Sequence, residues 1–175
     1  PEKERWELIE GIAYNMSPSP SKSHQRILRE LLRQFANFLF DKKCEIFSAP
    51  FDVRIPEPDK GKPDRDEDIE SVVQPDLVVI CEKSSLDERG YKGIPTLIVE
   101  IISPSTASRD MKEKFFLYER VGVKEYWIVH PVEKIVMVFK LGMNREYGKP
   151  EIYAESDKIE VCILGQLTID LKSVF

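Results

Sequence analysis

Several things are scarce in this chain of 175 residues, and each scarcity removes a class of protein. No apolar run approaches the ~20 residues needed to cross a bilayer. The charged opening Pro1-Glu2-Lys3-Glu4-Arg5 is unlike a signal peptide, so a cytoplasmic protein with no membrane partner is expected. Only three cysteines occur, Cys44, Cys81 and Cys162, with no CxxC pair and no His/Cys cluster at zinc spacing. Each lies in a strand-like apolar stretch, which reads as buried free thiols in a reducing compartment. There is no internal repeat. Positive charge is also short: the net charge is −5, so bulk composition gives no support to a nucleic-acid partner. It does not exclude one, because a local basic patch and an acidic metal site can share one chain. Length and an ordinary apolar fraction suit one domain with one core.

Hydrophobic periodicity orders what is present. Trp6 to Met16 reads as a short strand, or as two strands with a turn at Glu10-Gly11. A Ser/Pro loop, Ser17 to Ser21, leads into an amphipathic helix from His24 to Phe40. Its apolar face is Ile27, Leu28, Leu31, Leu32, Phe35, Phe38 and Leu39. Arg26, Arg29 and Arg33 fall on the other face and could touch a phosphate backbone, although a solvated helix face needs no such role. Cys44 to Ile55 predicts a strand broken near Pro50, and Pro56 to Ser71 a charged, proline-rich exposed loop. Leu77–Cys81 and Thr96–Ile102 are apolar enough for the middle of a covered sheet. A helix is expected from about Ser108 to Val121, stopped by Gly122. Strands follow at Glu125–Val129, Ile135–Phe139, Glu151–Ala154 and Lys158–Ile163. Helices alternating with strands argue a mixed sheet with helices on its faces.

Two acids interrupt the most apolar strands. Glu100 sits among aliphatic residues, and Asp76 opens the neighbouring run after Pro75. A carboxylate in such a place needs a partner. A basic side chain, a set of hydrogen bonds or a hard divalent ion would each serve. Asp110, Lys114 and Tyr118 are four apart on the following helix, so Lys114 could reach the acids. An Asp110–Lys114 surface pair is the plainer reading. Lys112 points away from Lys114's direction and should be solvated. His24 at the helix start reads as a surface or capping group, with a site role as the alternative. Tyr118 and Trp127 read as core or interface aromatics. Ser103 and Ser105 lack a GxSxG elbow and read as loop residues.

The combination resembles a known family. Pro75-Asp76, Val99-Glu100-Ile101-Ile102-Ser103-Pro104-Ser105-Thr106, Asp110, Lys114, Tyr118, Gly122 and Glu125-Tyr126-Trp127-Ile128-Val129 look like the bacterial Uma family. Trp6-Glu7-Leu8-Ile9-Glu10-Gly11, Met16-Ser17-Pro18 and His24 match its opening. Its members are described as restriction endonucleases, are counted as a domain of unknown function, and are placed in the PD-(D/E)xK nuclease superfamily. The resemblance implies an α/β, restriction-endonuclease-like fold: a central mixed β-sheet flanked by α-helices, as one domain over residues 1–175. It implies that Asp76 and Glu100 bind Mg²⁺, or Mn²⁺ in its stead, with the backbone carbonyl of Ile101. Ile102 occupies the superfamily's usual lysine position, and Lys114 matches the lysine this family carries on the next helix. Glu7 matches a further acid.

The expected activity is therefore Mg²⁺-dependent endonucleolytic hydrolysis of DNA by a homodimer, with Asp76, Glu100, Lys114 and Glu7 as the catalytic group. The alternative is a catalytically inactive module that keeps the nuclease fold for binding or assembly. A smaller phosphate ester would call on the same residues.

Overall fold

A computed structural model describes residues 5–16, 19–57 and 68–175. The chain begins with a hairpin, β1 (Trp6–Ile9) and β2 (Ile12–Asn15). Glu10 and Gly11 both take positive φ, 51° and 78°, as a two-residue turn matched to strand twist requires. Helix α1 (Lys22–Leu39) follows, capped by Ser21, whose hydroxyl accepts from the His24 N–H. Its buried stripe of Ile27, Leu31, Phe35 and Leu39 is the face the periodicity marks.

The broken strand becomes two, β3 (Glu45–Ser48) and β4 (Val53–Ile55), separated by a cis Ala49–Pro50 bond. They belong to different sheets. Most of the loop expected between Pro56 and Ser71 lies outside the described residues. Its last residue instead opens a strand, β5 (Ser71–Val73). Then come β6 (Leu77–Ile80), the short β7 (Leu86–Asp87) and β8 (Gly90–Lys92), and β9 (Leu97–Ile101).

The second helix is composite. A short α2 (Ala107–Arg109) passes through a π turn at Asp110–Lys114 into α3 (Phe115–Val121). Gly122 closes it in the left-handed region at φ 95°, where a Cβ would be strained. Strands β10 (Glu125–His130), β11 (Ile135–Lys140), β12 (Glu151–Ala154), β13 (Lys158–Val161) and β14 (Leu167–Asp170) complete the chain. Cys162–Leu164 is a 3₁₀ turn, so the expected strand to Ile163 ends early.

The expected mixed sheet is present and is joined by a second: among the described residues the strands form two six-stranded mixed sheets and a two-stranded ribbon. The apolar sheet runs β12-β11-β10-β9-β6-β3, and the smaller-stranded one β2-β1-β5-β4-β8-β7. In the apolar sheet β9 and β10 are parallel, joined by the composite helix, while β6 lies antiparallel to β9. Alternate residues of these strands face opposite layers. Val99, Ile101, Trp127 and Val129 pack with α1 and the ribbon. Ile98, Tyr126 and Ile128 pack with Leu117, Tyr118 and Val121 of α3 and with the other sheet. Tyr118 and Trp127 are both fully buried core aromatics, as expected.

The cysteine expectation needs correction. Cys44 and Cys81 form a disulfide, with Cα atoms 4.0 Å apart. They flank β3 and β6, whose antiparallel register pairs Glu45 with Ile80 and so brings the next residues face to face. Cys162 is a free thiol, but exposed rather than buried.

Candidate active site

Register puts the two strand acids together. Leu77 pairs with Val99 across β6 and β9, so Asp76 and Glu100 stand at the next step of the ladder. The Asp76 N–H points at Glu100 Oε2, at a long 3.4 Å. This is the end of the sheet at which the parallel strands β9 and β10 terminate, the usual mouth of a site in a sheet of this kind. An open cleft of about 900 Å³ lies there. Asp76, Glu100, Ile101, Glu7, Asp110 and Lys114 all line it.

Lys114 is the hub. Its Nζ lies 2.8 Å from Glu100 Oε1, 2.8 Å from Glu7 Oε1 and 3.5 Å from Asp110 Oδ1. Asp110 and Lys114 are not a surface pair: the π turn sets both against the sheet, and each is 3% exposed. The Tyr118 hydroxyl donates to Glu100 Oε1 at 3.2 Å, one turn further along. Glu7 reaches the cluster from β1, where its Oε1 also accepts from the Gln74 N–H at 2.8 Å. Arg109 NH1 stands 3.6 Å from Glu7 Oε2. Lys112 is exposed, as expected.

Asp76 is held differently. Its Oδ2 accepts from the Ile101 N–H at 2.8 Å and lies 3.2 Å from His24 Nε2 on the first turn of α1. Ile101 thus enters the site through its N–H. In extended chain the carbonyl of the same residue lies on the same strand edge, toward Asp76. Ser103 and Ser105 are loop residues whose hydroxyls bond each other at 3.0 Å. Arg29 and Arg33 are tied to Glu30 on the exposed face of α1, at 2.8 and 2.9 Å.

The family model described as "Putative restriction endonuclease" matches residues 1–172. The chain belongs to the Uma2 family. An uncharacterized protein of Synechocystis sp. is 29% identical over 165 residues, covering 94% of this chain and 80% of that one. A second uncharacterized Synechocystis protein is 26% identical over 160 residues, covering 90% and 84%. Among solved structures, a "putative nuclease" from Anabaena variabilis superposes with a TM-score of 0.73 at 17% identity. It covers 97% of this chain and 89% of that one, which shows a shared fold.

In this Uma2 chain the electrostatics of the cluster are out of balance. Burial raises the Glu100 carboxyl well above its ordinary range; Lys114 pulls it down, while Asp110, Asp76 and Glu7 push it further up. Asp110 is raised by burial in the same way, against the pull of Lys114. Burial opposes the Lys114 charge, but Glu100, Glu7 and Asp110 outweigh it and hold the ammonium well above its ordinary value. Among the described residues, four acidic groups, Glu7, Asp76, Glu100 and Asp110, share the cleft with three permanent cations, Lys114 and Arg109 against the acids and Arg5 in the lining. That excess of negative charge, carried on hard oxygen donors, fits a divalent cation. Among the described residues no three His, Cys, Asp or Glu side chains converge as a complete ligand set. Two carboxylates with waters suffice for Mg²⁺, which is seldom caged entirely by protein.

The fold brings together the four residues that the sequence singles out, Asp76, Glu100, Glu7 and Lys114. The spacing marks Asp110 only as a surface partner and so undervalues it. Arg109 and Gln74 were missed, because the sequence carries no signal for them.

Proposed function

We propose that the chain is a divalent-metal-dependent nuclease that hydrolyses phosphodiester bonds in DNA. The observation that supports this reading most directly is the opposed pair Asp76 and Glu100 at the strand ends, open to the cleft and backed by a buried lysine. Asp76, Glu100 and the Ile101 carbonyl would hold Mg²⁺ or Mn²⁺. Such an ion supplies an activated water and neutralises charge gathering on the phosphate. The chain's own part is positional. Lys114 and Tyr118 grip one oxygen of Glu100, Oε1, and leave Oε2 toward Asp76. Glu7 and Asp110 keep the ammonium seated while its charge remains available to a phosphate oxygen. Two copies would address both strands of a duplex, so a homodimer acting on cytoplasmic DNA completes the proposal.

The test is plasmid cleavage with Mg²⁺ or Mn²⁺, wild type against Asp76→Ala. Cleavage lost in the variant supports the reading; a wild type that leaves every plasmid form intact across salt and pH refutes it. A second reading, an inactive module that keeps the fold for binding or assembly, draws on Lys114 itself. Its ammonium already satisfies Glu7 and Glu100 at 2.8 Å each, as a purely structural cation would. That reading requires the absence of any Mn²⁺ binding that depends on Asp76 and Glu100, which calorimetry measures.

A further inference from the structure

We propose that His24 is a positioning residue for the first acid of the site: with the Ile101 N–H it pins Oδ2 of Asp76 and leaves Oδ1 to the cation. The inference rests on the metal-site reading above and assigns a role to a residue outside the acids and the lysine.

A carboxylate can only accept, so in the 3.2 Å contact to Asp76 Oδ2 the donor is the His24 Nε2–H. The Ile101 N–H, at 2.8 Å, donates to the same oxygen. Both described bonds therefore fall on Oδ2, which fixes the plane of the carboxylate. The imidazole is itself held firmly. His24 is in the first turn of α1, its N–H bonded to the Ser21 cap at 3.2 Å, and the helix is anchored by Ile27, Leu31, Phe35 and Leu39. Its side chain is buried, at 10% exposure.

The other ring nitrogen decides between packing and positioning. Nδ1 is buried and, among the described residues, has no hydrogen-bond partner. An unmet buried polar atom is costly, and a residue kept here for packing alone would be cheaper as a leucine. The ring satisfies Asp76 at its own expense. His24 is also not arranged as a direct ligand, because Nε2, the nitrogen beside the acid, is engaged by Oδ2. Hydrogen bonds that orient ligating side chains commonly govern metal affinity.

The experiment is Mn²⁺ titration by calorimetry on the whole chain, for wild type, His24→Leu and His24→Gln, with metal-free melting curves of each. Glutamine keeps an N–H donor at comparable reach; leucine keeps only the bulk. The expected result is Mn²⁺ binding weakened about 10- to 100-fold in His24→Leu and close to wild type in His24→Gln. Should His24→Leu fail to fold, His24→Asn, whose amide falls short of Asp76, provides the same contrast with His24→Gln. Equal affinity in the leucine or asparagine variant and wild type overturns the inference and leaves the metal site standing. So does a failure of glutamine to restore affinity. Strong ¹⁴N coupling from an imidazole in the spectrum of bound Mn²⁺ also overturns it, by making His24 a ligand. A wild type that binds no Mn²⁺ removes the metal reading and this inference with it.

Discussion

Replacing Lys114 by methionine would expose how much of the fold hangs on the charge cluster. Lys114, Glu7, Glu100 and Asp110 are between 2% and 4% exposed, so water cannot take over when a partner is lost. Methionine matches the lysine stem in volume, which leaves the missing charge as the main change. Removing one member of a buried, bonded set typically costs about 3–5 kcal/mol, because the remaining charges are left uncompensated. In a chain of this size each kcal/mol moves the melting temperature by about 2–4 °C, so a fall of about 6–20 °C is expected. The deficit should depend on pH. In the folded state burial already holds the Glu100 carboxyl well above its ordinary value and raises that of Asp110 above its own. The folded chain therefore binds more protons than the unfolded one between the ordinary and the raised values, and stability falls as pH rises through that window. Without Lys114 both carboxyls lose the influence that lowered them, so the window widens upward. The loss in Lys114→Met should shrink as the solution is acidified from neutrality toward the ordinary carboxylate range. Melting curves of metal-free protein, followed by circular dichroism across that range, provide the assay. An unchanged melting temperature at neutral pH would refute the reasoning, as would a deficit that does not vary with pH.

The same cluster predicts the opposite response to Glu100→Gln. The amide oxygen still accepts from Lys114 and Tyr118, while like-charge repulsion from Asp110, Asp76 and Glu7 is relieved. Metal-free Glu100→Gln should melt at a higher temperature than wild type while losing Mn²⁺ binding; a less stable variant would contradict the charge imbalance. Thiol titration of denatured, unreduced protein should count one free cysteine, Cys162, and a count of three would remove the Cys44–Cys81 bond. Cys81→Ser should cost up to about 4 kcal/mol, the chain-entropy value for closing a loop of 37 residues, read from urea unfolding.

Legibility in the sequence followed the strength of the local pattern. Helix α1 was readable because an 18-residue amphipathic stripe carries several turns of signal. Asp76 and Glu100 were readable because a charge inside an aliphatic strand contradicts its surroundings. The smaller-stranded sheet was not. Strands β7 and β8 have two and three residues, too few for a period to show, and β5 follows a stretch of sequence dominated by charge and proline. The disulfide was hidden because it depends on the β3–β6 register, which no spacing of cysteines reveals. Asp110 was misjudged for a related reason. The spacing of Asp110 and Lys114 says that they share a face of the helix, but which face meets the sheet is set by packing and by the π turn.

The position of the lysine can be put to a test of equivalence. Ile98, Glu100 and Ile102 alternate onto the same side of β9 and its extension. Ile98 and Ile102 pack in the layer that includes Leu117 and Tyr118 of α3. Lys114 therefore approaches Glu100 from the space that a side chain at position 102 also faces. If only the charge in that space matters, Ile102→Lys should rescue Lys114→Met. Removing the half-buried Ile102 side chain costs about 1 kcal/mol of apolar burial, while a restored cation recovers much of the 3–5 kcal/mol at stake, for a net gain of about 2 kcal/mol. The double variant should melt above Lys114→Met and below wild type. Ile102→Lys alone should be tolerated, since the cluster carries surplus negative charge, and should weaken Mn²⁺ binding by competing for Glu100. A double variant no more stable than Lys114→Met would mean that the direction of approach is itself specified. The helix lysine, held between Glu7 and Asp110, would then be doing something that a strand lysine cannot.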